Sequence, residues 1–154
     1  MSLTAILRII AFYILAVLVA TILGALAQAQ INLAALAEPP TLLAERLSAG
    51  MTALPGLLPS FAAMVAATLL IFLPIAELLA RIFRPWRWLL FALAGAGGIW
   101  VAYKVVDTTL VLPEITAPSA GWQWAAVCVS VAIGSWLFGH LTRPRAKRGL
   151  RVLG

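Results

Sequence analysis

Four stretches, 9–27, 61–79, 88–106 and 122–141, are apolar almost throughout. Each has close to the ~20 residues that an α-helix needs to cross about 30 Å of hydrocarbon. In lipid a chain must satisfy its backbone N–H and C=O groups internally, so each run is expected to be helical. The third is the shortest: it is continuously apolar only from Trp88 to Tyr103, with Lys104 to Val106 as a last turn. Composition excludes the alternative of buried helices in a soluble protein. The chain is 64% hydrophobic and 10% charged, against roughly 45–50% and 25% for soluble domains, too few polar side chains to cover a wetted surface. The 154 residues therefore read as a single integral membrane domain: an all-α membrane protein, a four-transmembrane-helix bundle.

Charge placement sets the expected orientation, because short cytoplasmic loops are rich in Lys and Arg. With the N-terminus inside, that side holds Arg8, Arg81, Arg84, Arg87, Arg143, Arg145, Lys147, Arg148 and Arg151. Only Arg46 and Lys104 fall outside, beside Glu38, Glu45, Asp107 and Glu114. Trp86, Trp88 and Trp136 sit near the inner boundary, and Trp100, Trp122 and Trp124 near the outer one, where amphipathic rings are favoured. The expected location is a bacterial-type inner (plasma) membrane, with both termini cytoplasmic. The first run also has the build of a secretory signal: Arg8, an apolar stretch and the small residues from Gly24 to Ala29. It is long enough to span, and is expected to be kept as the first helix.

The outer segment 28–60 is too apolar for a free loop, and Pro39, Pro40, Pro55 and Pro59 are expected to keep it from spanning. Within it, Thr41 can cap a short amphipathic interfacial helix between the first two spans, with Leu43, Leu47, Met51 and Leu54 near one face. The second outer loop, 107–121, is expected to fold onto the membrane surface. Residues 143–154 form a basic cytoplasmic tail whose Arg143, Arg145, Lys147 and Arg148 are candidate contacts for anionic lipid.

Chemistry is sparse. Glu77 is the one acid in a span, and Arg81 four residues on shares its helical face, so the two form a candidate ion pair near the inner boundary. His140 is the only histidine, which excludes bis-histidine haem ligation within one chain. Ser130 and Ser135 lack a Gly-x-Ser-x-Gly elbow, and there is no Walker loop or cysteine cluster. Cys128 reads as an inert thiol in an apolar run. Gly95-Ala96-Gly97-Gly98 imitates a phosphate loop but lies mid-span, where helix packing explains it better. No catalytic, cofactor-binding or metal residues are therefore expected, and no cofactor. Nucleic acid is excluded as a partner, because the basic residues flank spans and have no folded reader.

Small residues spaced by four form candidate helix-packing or partner faces: Ala16, Ala20 and Gly24; Ala94, Gly98 and Ala102; Ala126, Ser130 and Gly134. The expected partners are membrane lipids and other membrane-protein subunits, or further copies of the chain. Together these features lead to the expectation of a non-catalytic accessory, assembly or scaffolding subunit of a larger inner-membrane complex. The alternatives are a small homo-oligomeric transporter or channel, with Glu77, Thr68 and Lys104 along a path, or a small membrane subunit of a multicomponent transporter.

Overall fold

The computed structural model describes residues 2–109, 113 and 115–144. Its regular structure is helical, and four of its helices are long and apolar enough to cross a membrane. Helix α1 is Leu3–Ala34, α2 Leu43–Ile82, α3 Arg87–Thr109 and α4 Gly121–Leu141. They pack as a ring in chain order, α1 on α2, α2 on α3, α3 on α4 and α4 back on α1. Both the start of α1 and the finish of α4 lie at one end, here called the terminal end.

The segment expected to be a separate interfacial helix is instead continuous with the second span. Helix α2 runs for 40 residues through Pro55, Pro59 and Pro74, about 60 Å at ~1.5 Å per residue and twice the hydrocarbon thickness. Pro55 and Pro59 do not break it because they are four apart and both exposed, so the carbonyls they leave without a helical donor share the outer side. The opposite side is fixed by packing: Gly50 lies against Gln30 and Leu33 of α1, and Leu57 and Phe61 are buried. Helix α2 stops at Ile82, where Phe83 leaves helical dihedrals (φ −108°, ψ 65°); Pro85, two residues on, has no N–H with which to continue the ladder. A single 3-10 turn, Arg84–Trp86, then leads into α3.

The centre of the ring is filled. Ala16, Ala20, Phe61, Val65, Leu69, Phe91, Ile99, Val127 and Val131 are fully buried. Three hydroxyls at this depth bond to backbone carbonyls: Thr68 donates to Met64, Ser130 to Ala126, and Ser135 across the interface to Phe91 of α3; the hydroxyl of Thr21 on α1 is buried without a partner. The Cys128 thiol reaches the Ala96 carbonyl at 3.6 Å.

Three of the small-residue faces are placed differently along their length. A Cβ on Gly134 would stand 2.6 Å from the Ala20 Cβ and 2.7 Å from the Ala16 carbonyl oxygen, so α1 and α4 meet backbone to backbone. Gly24 faces the Phe61 ring, and Gly98 faces Thr68 and Phe72 of α2. Ala94, Ala102, Ala126 and Ser130 are only half-buried. The α3–α4 contact is made by Gly95, against the Val131 carbonyl and Ser135. Gly97, by contrast, has open space where a Cβ would go. Gly97→Ala is expected to raise stability by up to about 1 kcal/mol through helix propensity alone, read as a higher thermal midpoint in detergent.

Candidate functional site

Polar side chains gather at the two ends of the bundle. At the terminal end the site is built on Arg87, the first residue of α3. Its Nη2 lies 2.7 Å from Glu77 Oε2. Nη2 also donates to Thr142 Oγ1 at 3.1 Å, and Nε to the Gly139 carbonyl at 3.3 Å. The guanidinium stands 4.8 Å from the centre of the Phe91 ring. Gly139 makes this possible, because a side chain there would collide with Phe91.

Glu77 thus closes its ion pair on Arg87, across the α2–α3 turn, rather than on Arg81 along its own helix. The i,i+4 spacing allows the latter contact, but Arg87 enters from the next helix with its side chain only 11% exposed. There a charge gains more from a partner than at the exposed position of Arg81. Arg81 instead lines a cavity of about 980 Å³ between α1, α2 and the end of α4, together with Arg8, Glu77 and Arg143. Of the candidate lipid-contacting residues, Arg143 is exposed at the mouth of this cavity; Arg145, Lys147 and Arg148 lie outside the described residues.

At the far end a second network links α1, α3 and the segment before α4. Tyr103 donates its hydroxyl to Gln28 Oε1. Gln28 Nε2 donates to Asn32 Oδ1 and to the Thr116 carbonyl, both at 2.8 Å. The Thr116 amide returns a bond to Asn32 Oδ1 at 3.3 Å. Trp124 stacks edge-on against Tyr103, so this residue belongs to the packed interior and not to an exposed aromatic belt. Gln28 is fully buried, and Tyr103 nearly so. Tyr103→Phe strands the Gln28 carbonyl in the interior, and is expected to cost about 1–3 kcal/mol, measurable as an earlier unfolding transition.

Neither Arg87 as a hub nor the Gln28 network is anticipated by the sequence reading. The amide network has a signal in the i,i+4 spacing of Gln28 and Asn32. Arg87 has none apart from its distance to Glu77, since it counts only as one of several loop charges. His140 is exposed and stacks on Trp136 at 5.5 Å. Among the described residues no group of three or more His, Cys, Asp or Glu is placed to hold a metal ion.

Chemically, the terminal-end arrangement can hold a fixed charge and present cations to a cavity. A guanidinium does not give up its proton in a protein, so Arg87 is an anchor and not a relay. No protein-family model matches the chain, and neither the curated proteins nor the solved structures contain a match to it.

Proposed function

We propose that the chain is a non-catalytic accessory, assembly or scaffolding subunit of a larger inner-membrane complex. The observation that carries this reading is the filled, apolar centre of the ring: Thr68, Ser130 and Ser135 bond their hydroxyls to backbone carbonyls and the Thr21 hydroxyl is buried alone, so a single copy offers no continuous polar path between its ends. In this reading both termini and the Arg87 end are cytoplasmic, and lipids and other membrane subunits cover the outside. The first turns of α2, with exposed Leu43, Leu47 and Met51, then lie in the outer interfacial layer or against a partner.

Mild-detergent purification from native membranes with cross-linking mass spectrometry tests it. Reproducible cross-links to unrelated membrane proteins are the expected result; a preparation consisting solely of self-assembled chain overturns it. A second reading, a small homo-oligomeric transporter, is favoured by one observation: Glu77 is 35% exposed and lines the terminal-end cavity. Under that reading Glu77→Gln abolishes solute flux while assembly is preserved. Under the first, any defect appears in assembly.

A further inference from the structure

The terminal-end cavity has an amphipathic lining. Its apolar wall includes Phe12 of α1, Leu69, Leu70 and Leu73 of α2, and Phe138 of α4. Its cations come from three separate places in the chain: Arg8 on α1, Arg81 on α2 and Arg143 just beyond α4. The convergence is therefore a product of the fold, not of a basic run in sequence. Among the described residues none of the three guanidiniums is in an ion pair, and the one acid in the lining, Glu77, is already matched by Arg87. At about 980 Å³ the space stands at the upper end of the ~300–1,000 Å³ typical of small-molecule sites.

From this we infer that the cavity is a binding site for one anionic phospholipid of the surrounding leaflet. The phosphate is held by Arg8, Arg81 and Arg143, and an acyl chain lies along Phe12, Leu69 and Leu73. Guanidinium groups suit this ligand because they bond phosphate oxygens in pairs. Basic pockets between membrane helices recognise such headgroups. The apolar wall selects a lipid over free phosphate, which has nothing to place there. The inference requires only that the helices lie in a bilayer, and is independent of whether the chain is an accessory subunit.

Native mass spectrometry of the full chain in detergent, titrated separately with phosphatidylglycerol, phosphatidylcholine and glycerol phosphate, tests the site. The expected result is one tightly held phosphatidylglycerol per chain, with the other two ligands at least about tenfold weaker, given roughly fivefold per neutralised charge. Arg8→Gln, Arg81→Gln and Arg143→Gln are each expected to weaken phosphatidylglycerol about fivefold, and the triple variant about a hundredfold. Arg84→Gln removes the same charge from the same end, at an exposed position outside the cavity lining, and is expected to leave affinity within twofold or so of the parent. Ala5→Trp, which fills the lining while keeping every arginine, is expected to displace the lipid. Equal binding of phosphatidylcholine, tight binding of glycerol phosphate alone, or an Arg84→Gln loss as large as that of Arg81→Gln overturns the proposal. All variants are at exposed or half-buried positions; a thermal midpoint matching the parent, measured on each in lipid-free detergent, separates lost binding from lost fold.

Discussion

Gly134→Leu is expected to unfold the bundle, or to leave α1 detached from the other three helices. The Cβ alone would lie 2.7 Å from the Ala16 carbonyl oxygen and 3.0 Å from the Ala20 amide nitrogen. Those are backbone atoms of a neighbouring helix, so no rotamer change can make room, and the whole of α1 has to retreat. Overpacking of a well-filled interior costs about 1–3 kcal/mol when side chains can adjust; with backbone on the far side the cost exceeds that range, and even Gly134→Ala should reach about 2 kcal/mol. Thermal or SDS-induced unfolding in detergent micelles provides the measurement, with Gly97→Ala as a control that adds a methyl group to the same bundle where space is open. A Gly134→Leu chain that melts with the parent would mean that α1 and α4 do not approach this closely.

The second large effect is an asymmetry within the Glu77–Arg87 pair. Arg87→Met removes a partly buried cation and leaves three acceptors, Glu77, the Gly139 carbonyl and Thr142, without their donor. Breaking a fully buried pair costs about 3–5 kcal/mol; with Glu77 35% exposed solvent screens part of this, and the expected loss is about 2 kcal/mol. Glu77→Gln is milder. The amide keeps an oxygen for Arg87, and the guanidinium keeps its other two acceptors, so the loss is about 1 kcal/mol. An order of effects in which Glu77→Gln is the more damaging would show that Arg87 is not the centre of this network. Arg81→Gln, at the exposed position four residues from Glu77, is expected to leave stability within about 0.5 kcal/mol of the parent.

Period and hydropathy were sufficient to read the four helices, because a bilayer leaves a chain so few solutions. They were insufficient for the reach of α2. Pro55 and Pro59 are helix breakers by local rules, and the packing of the opposite side, with Gly50 against α1 and Leu57 and Phe61 buried, is invisible without the fold. The small-residue face of α1 is buried along its length, whereas those of α3 and α4 are buried at Gly98 and Gly134 alone. With ~3.6 residues per turn, a row of every fourth residue drifts about 40° per step around the helix, so Ala16 and Ala20 meet α4 while Gly24 has turned to α2. Gly98 meets α2, whereas Ala94 and Ala102 fall to either side. A helix in a ring must also serve two neighbours: adjacent Gly134 and Ser135, about 100° apart on α4, face α1 and α3 respectively. The i,i+4 spacing points Glu77 at Arg81, whereas the cation it meets, Arg87, is brought to it by the way the α2–α3 turn folds back. Arg8 and Arg143 are separated by most of the chain, and nothing in a linear reading brings them to one cavity.

Closure of the ring between α1 and α4 has a consequence for biogenesis. As the nascent chain leaves the ribosome, the α2–α3 hairpin can lock early, since Glu77 and Arg87 are separated by a single turn. Ala16 and Ala20 of α1 wait for Gly134 to be synthesised, and Gln28, bonded locally to Asn32 alone, waits for Tyr103 and Thr116. During that interval Gln28 has Asn32 alone as a partner and α1 has α2 alone as a neighbour, so the earliest-made of these four helices is among the last to be fully packed.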